Sequence, residues 1–383
     1  MYEPRVHQAA NLAFLWPAIA AASASELAAL VAKQLTGLAV GRDGRAVEPP
    51  RWATPHTVAL ELSTVRLRDF STGPKSFATL VCAPFALHGA AICDLVAGHS
   101  LVGALRAAGL GRLMVADWRS ATAEMRYLGI DDYLANLNVL IDQIGAPVDL
   151  IGLCQGGWLA LVYAARFPQK IRKLVLAGAP IDTAAASSSL SMLADSSSLA
   201  VFHELVRLGD GVVPGQKVLK FWGPETLEAD DIRQLLHSEA AVGSPDFARL
   251  EAAFRSWSAW TVDLPGTYFM EVVEKLYKRN ELASGEFVAL GQRIDLKKVT
   301  APIFLLAARD DELVAPPQLF AAEGLVGSAA RDICKAVVPC RHTGLFMDKR
   351  ILNEVWPRIV HWLAQPTQPS AALAPAHALE QAH

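Results

Sequence analysis

Charge is scarce in this chain of 383 residues: 19% of side chains are charged, and 35 basic residues nearly balance 38 acidic ones for a formal net charge of −3. Nucleic-acid binding needs a clustered basic surface, and this balance provides none. Cysteine is scarce too. The five cysteines (Cys82, Cys93, Cys154, Cys334 and Cys340) are odd in number and form no Cys-x-x-Cys pair. That arithmetic excludes a disulfide scaffold and a zinc site, so no metal is expected, and it fits a reduced, cytoplasmic setting. The N-terminus lacks the basic region, apolar stretch and cleavage site of a signal peptide. No internal repeat is present. With 52% hydrophobic residues, most of the chain is too apolar to remain disordered.

One stretch has no charge at all. Between Arg5 and Glu26 there is no Lys, Arg, Asp or Glu, and Pro17 interrupts an Ala-rich run. It reads as a helix packed on the main domain, as a helix lying on a lipid or polymer interface, or as a membrane span.

From residue 57 short β-rich runs alternate with helical ones, the rhythm of an α/β protein with a mostly parallel sheet. Strands are expected at 57–63, 65–70, 77–83, 112–118, 148–153, 173–179, 301–309 and 333–339. Helices are expected at 100–110, 131–145, 156–167, 317–326 and 351–363. The rhythm lapses between about 183 and 290, where no strand is expected. A Ser-rich loop there gives way to aromatic-rich helical sequence containing Trp222, Trp257 and Trp260. The expected organisation is an N-terminal helical segment at 1–56, an α/β core at 57–182 and 291–364, a helical cap insertion at 183–290 after strand 6, and a disordered Pro/Ala-rich tail at 365–383.

The sharpest local signal is Gly152-Leu153-Cys154-Gln155-Gly156-Gly157, between an expected strand and an expected helix. It has the form of a nucleophile elbow with cysteine in the serine position. The tight turn demands small neighbours, the helix N-terminus favours negative charge on the sulfur, and the Gln155 backbone N–H points at a forming oxyanion. In this arrangement the orienting acid and then the base follow the nucleophile in sequence. Asp311 fits the acid position after the seventh core strand, with Asp310 as its rival. His342 lies on the loop after the eighth, where the base belongs. The second oxyanion donor is expected from the backbone of Phe85 or Ala86, after Pro84. His88 reads as a substrate contact or a helix-start histidine, and Trp158 as core or substrate platform. The insertion tryptophans either line an acyl channel or fill a small helical core. The other four cysteines read as packing residues. A thiol nucleophile suits thioester donors, because sulfur-to-sulfur exchange is nearly balanced.

These residues resemble the polyhydroxyalkanoate synthases of the α/β-hydrolase fold. GLCQGGW (152–158) resembles their cysteine-containing lipase box. LVCAPFALHGAAICDL and LYKRNELASGEFVALGQRIDLKKVTAPIFLLAARDDELVAP are similar to the synthase regions around the oxyanion loop and the approach to the acid. The resemblance spans about 57–363 and is strongest to the shorter, two-subunit type. RHTGLFMDKRILNEVWPRIVHWL also resembles intracellular polyhydroxyalkanoate depolymerases. Two departures stand out: Glu312 follows the acid where synthases often have His, and Pro339-Cys340-Arg341 precedes His342 where Gly-Gly is usual. The resemblance implies an eight-stranded α/β-hydrolase fold with Cys154 as acyl-carrying nucleophile, Asp311 as orienting acid and His342 as base. It implies a cytoplasmic enzyme acting on 3-hydroxyacyl-CoA or a polyester chain, at a polymer granule, with a second subunit or as a homodimer. No cofactor is implied; a coenzyme A thioester enters as substrate.

Overall fold

The computed structural model describes residues 48–73, 77–222 and 227–366, the side chains of 219–222 excepted. The charge-free run between Arg5 and Glu26, the Trp222 side chain and nearly all of the expected tail lie outside the described residues. Of the expected N-terminal helical segment only 48–56 is described, and it is not helical. That stretch packs instead: the Trp52 ring lies 5.6 Å from Phe70 and the Arg68 guanidinium sits 4.6 Å over Trp52.

Eight strands form one sheet: β1 (Thr57–Glu61), β2 (Val65–Asp69), β3 (Thr79–Cys82), β4 (Leu113–Trp118), β5 (Val148–Leu153), β6 (Ile171–Ala177), β7 (Ile303–Ala308) and β8 (Ile333–Val338). Their spatial order is β1-β2-β4-β3-β5-β6-β7-β8. β2 runs antiparallel to both neighbours, and the remaining contacts are parallel. This is the strand order of the α/β-hydrolase fold, as expected from the sequence.

β3 and β5 are buried along their whole length, because helices cover both faces of the parallel sheet. Side-chain alternation divides the core in two. Leu80, Leu150, Leu174 and Leu305 face one layer, which holds α2 (Ile130–Ile144) and α3 (Gln155–Arg166). Val81, Ile151, Val175 and Leu306 face the other, which holds α1 (Leu101–Ala107) and the C-terminal helices. α2 buries Ile130, Tyr133, Leu134, Leu137, Leu140, Ile141 and Ile144 along one stripe, the spacing of an amphipathic helix. Its first turn is fixed by the Gly129 N–H donating to Asp132 Oδ2 at 2.8 Å, and it stops at Gly145 with φ 91°, as helix ends often do.

Two expected helices are each broken. The one at 317–326 is two short pieces, Pro316–Phe320 and Ala322–Leu325. The final one divides at Val355 into Lys349–Glu354 and Trp356–Ala364. Pro357 explains the second break: it has no N–H to donate, and its ring clashes with the preceding turn. Between β6 and β7 lie α4 (Ser189–Ser196), α5 (Leu199–Leu208), α6 (Gly215–Trp222), α7 (Ala229–Leu235), α8 (Pro245–Ala259) and α9 (Gly266–Glu271). Two small antiparallel ladders also occur there, Val212–Val213 with Leu264–Pro265 and Val288–Ala289 with Gln292–Arg293. The sequence had indicated no strand in this stretch, since two-residue ladders are too short to leave a period-2 pattern. Among the described residues no helix is long and apolar enough to cross a membrane.

Leu137 on α2 is fully buried and Val139 is 44% exposed. Leu137→Ala should lower the urea-derived unfolding free energy by about 2–5 kcal/mol, and Val139→Ala should change it by no more than about 0.5 kcal/mol. Equal small effects at both would contradict this packing.

Candidate active site

Cys154 sits between the last residue of β5 and the first of α3, at φ 48° and ψ −122°. A non-glycine residue held in such a region stores roughly 1–3 kcal/mol of strain. Two hydrogen bonds hold it there. The Cys154 N–H donates to the Ala177 carbonyl on β6 at 2.9 Å, and the Gly157 N–H donates to the Cys154 carbonyl at 2.8 Å. The turn tolerates no bulk, because a Cβ on Gly156 would lie 2.2 Å from the Cys82 carbonyl oxygen. Cys154 keeps 8% of its surface exposed.

His342 follows β8 and is 3% exposed. Its Nδ1–H donates to Asp311 Oδ2 at 2.8 Å, and the ring also hydrogen-bonds Cys154; with Nδ1 committed, Nε2 is left for the sulfur. Phe346 supports the ring edge-on at 5.7 Å. The second oxygen of Asp311 accepts the N–H groups of Leu313 and Val314, both at 2.9 Å, so the carboxylate is fixed at both ends. Burial alone would lower the imidazole pKa. The charges of Cys154 and Asp311 and hydrogen bonds to both outweigh it and hold His342 well above its ordinary value. Asp310, the rival acid, is exposed and engages this region through its backbone, donating to the Cys340 carbonyl at 3.1 Å.

The structure therefore brings Cys154, His342 and Asp311 together from three strand ends. Gly178, just after β6, makes room for them. It has φ 56°, and a Cβ there would meet Leu345 Cδ1 at 2.9 Å and His342 Cε1 at 3.1 Å. Sequence reasoning missed it, because Gly178 fell inside the strand expected at 173–179, which ends at Ala177.

Phe85 and Ala86 lie on the loop after β3. The Phe85 ring stacks on Tyr133 at 4.7 Å and meets Tyr268 at 5.1 Å and Trp118 at 6.2 Å. Trp118 in turn donates its indole N–H to the Ala83 carbonyl at 3.0 Å. The backbone N–H groups of Phe85, Ala86 and Gln155 donate to no protein acceptor among the described residues.

Trp158 and His88, each read as a substrate contact or a structural residue, both make contacts within the protein. Trp158 is fully buried, packs near Phe287 at 6.1 Å, and donates its indole N–H to Gln155 Oε1 at 2.8 Å. It presents no surface to a ligand, because its position on α3 faces the layer behind the sheet. His88 lies just before Gly89, the cap of a short 3-10 helix at Ala90–Cys93. Its ring lies 4.5 Å from Trp257 and its Nδ1 contacts the Trp260 carbonyl at 3.1 Å, and burial lowers its pKa. The insertion thus rests on the loop after β3, helped by the Val262 N–H donating to the Leu87 carbonyl at 2.9 Å. Two surface hollows of about 320 and 390 Å³, one lined by His203, Glu274 and Arg279 and the other by Arg293 and Leu325, do not reach Cys154.

All five cysteines are free. Burial pushes the Cys82 and Cys340 thiols up to about 12 and Cys93 well above its ordinary value, so these three stay protonated near neutrality. The two departures from the synthase pattern meet each other: Arg341 donates to Glu312 at 3.1 Å.

Residues 237–366 match the family described as PHB de-polymerase C-terminus. The chain is 29% identical over 289 residues to the poly(3-hydroxyalkanoate) polymerase subunit PhaC of Synechocystis sp., covering 71% of this chain and 74% of that one. It is 27% identical over 278 residues to the subunit of the same name from Allochromatium vinosum, covering 70% and 76%. Among solved structures, a monoacylglycerol lipase of Paleococcus ferrophilus gives a TM-score of 0.48 at 18% identity over 78% of this chain and 98% of its own. The resemblance read from the motifs is borne out by these polymerase relatives.

With ¹³C-labelled histidine, His342 should titrate above its ordinary value of 6.5, and Asp311→Asn should pull it down. A raised folded pKa contributes stability that is complete below the unfolded value and lost as pH climbs through the folded one. His342→Ala should therefore cost more unfolding free energy at pH 6 than at pH 9. A resonance titrating below 6.5 contradicts the arrangement.

Proposed function

We propose that this chain is an acyltransferase that builds polyhydroxyalkanoate from 3-hydroxyacyl-CoA through an acyl-enzyme on Cys154. The observation that carries the reading is a thiol, rather than a hydroxyl, at the strained turn, hydrogen-bonded to an imidazole whose other nitrogen is fixed by a buried carboxylate. In this mechanism His342 carries the proton given up by Cys154, and the thiolate attacks the thioester carbonyl. The tetrahedral oxyanion is met by the N–H of Gln155 and that of Phe85 or Ala86. Collapse expels the CoA sulfur, which takes the proton from His342. A chain-end hydroxyl then attacks the acyl-enzyme, gives its proton to His342, and releases Cys154, which regains that proton. Asp311 keeps the imidazole in the required tautomer and stabilises its charged form.

The names of the polymerase relatives support this donor and product. That they are named as subunits supports a second subunit; a homodimer and a cytoplasmic polymer granule as the place of action belong to the same proposal. Cys154 and His342 are nearly covered, so entry of an acyl-CoA requires the residues that cover them to move.

A second reading has its own observation: the depolymerase C-terminal match over residues 237–366. There water replaces the chain-end hydroxyl, and the same residues hydrolyse polymer or thioester.

Incubation with 3-hydroxybutyryl-CoA separates the two readings. A chromogenic thiol reagent follows CoA release while mass spectrometry identifies the products. Polymerisation predicts CoA release with growing oligomers, and Cys154→Ala should lower the rate by about 10⁴-fold or more. Free hydroxyacid alone, together with loss of amorphous polymer, selects hydrolysis. Undiminished turnover by Cys154→Ala contradicts both.

A further inference from the structure

The helix that roofs the site changes pitch midway. α9 is α-helical and the next stretch, Val272–Lys278, is π-helical. Its wider turn is marked by the Arg279 N–H donating to the Glu274 carbonyl, five residues back, at 2.9 Å. The change decides which residues face Cys154. Tyr268 and Tyr277 would lie on opposite sides of an unbroken α-helix turning ~100° per residue. With the three steps to Glu271 at ~100° and the six beyond it at roughly 80°, they come to within about 60° of one another. Tyr268 is buried and Tyr277 half-buried; burial, with the Cys154 charge as a further cause, raises both phenols above the ordinary tyrosine range.

Tyr277 also makes a specific contact. Its phenolic oxygen accepts a hydrogen bond from Gln155 Nε2 at 2.7 Å. The other end of that amide, Oε1, accepts the indole N–H of Trp158 at 2.8 Å. Gln155, the residue directly after the nucleophile, is thereby held between a core anchor and the roof.

We propose that Tyr277 is a positioning residue for acyl transfer: through the Gln155 side chain it fixes the first peptide of α3, whose N–H faces the developing oxyanion. This rests on the cysteine acyl-enzyme reading above and adds a residue to it. Without the phenolic oxygen, the buried Gln155 amide must turn to find another acceptor, breaking its bond to Trp158 or dragging the peptide with it. Hydrogen bonds weaken steeply with angle, and this one is needed most in the transition state, so the loss falls on kcat.

The test uses the full chain and whichever acyl donor it turns over, 3-hydroxybutyryl-CoA or 4-nitrophenyl butyrate. Tyr277→Phe should lower kcat by about 10–100-fold, short of the 10²–10³ lost with a whole oxyanion donor, and leave KM within about twofold. Alkylation of Cys154 by iodoacetamide, read from the mass of its peptide, should keep the parent rate. In a Gln155→Met background, where no amide remains to be held, Tyr277→Phe should cost no more than about twofold further. Unchanged kcat, a matching fall in Cys154 alkylation, or full additivity with Gln155→Met would each overturn the assignment. Turnover that survives Cys154→Ala would instead remove the acyl-enzyme reading and this assignment with it.

Discussion

A cysteine in a left-handed backbone conformation, at the end of a fully buried central strand, is the constraint around which the rest is arranged. Cys154 reaches φ 48° only because the Ala177 carbonyl on the neighbouring strand takes its N–H and because the helix behind it begins with glycines. The strain lifts the thiol above the sheet edge, where loops from β7 and β8 can reach it. Parallel strands end on the same edge of a sheet, so His342 and Asp311 arrive from the same side as the thiol. The two loops then lock together: Asp311 holds His342, and Arg341 holds Glu312.

Electrostatics follow from that packing. Three of the other thiols are held protonated by burial, which the Arg350 charge near Cys340 and the Trp118 contact at Cys82 offset only in part. Cys154 alone has an imidazole beside it, and that imidazole is itself biased toward its charged form. What sets Cys154 apart from Cys82, Cys93 and Cys340 is its neighbours rather than its exposure, because all four are buried.

What the sequence made legible is the part governed by local rules. The elbow was readable from Gly152, Cys154 and Gly156, since a strand-to-helix turn with an exposed nucleophile demands small residues at fixed offsets. Asp311 and His342 were readable because each follows a β-rich run, and the geometry places both beside Cys154. The eight strands followed from alternation of apolar runs with helical ones. What escaped depended on contacts between distant segments. Trp158 offered itself as a substrate platform by lying next to the elbow, but four residues of helix turn it into the core. The space that Gly178 leaves for His342 involves a residue 164 positions away, and no local pattern announces it. The π turn at Val272–Lys278 escaped, because it lies in the stretch where the strand–helix rhythm lapses and no local motif marks the change of pitch. The break at Val355 was the exception, since Pro357 was in plain view.

The central claim is that an acyl group passes through the sulfur of Cys154, and trapping it tests that most directly. Full-length protein mixed with 3-hydroxybutyryl-CoA, quenched in acid within the first turnovers and digested, should yield the Cys154 peptide carrying one hydroxybutyryl group. That adduct should be absent from His342→Ala over the same interval. Turnover with an unmodified Cys154 peptide, or with the acyl group on a different residue, would contradict the account.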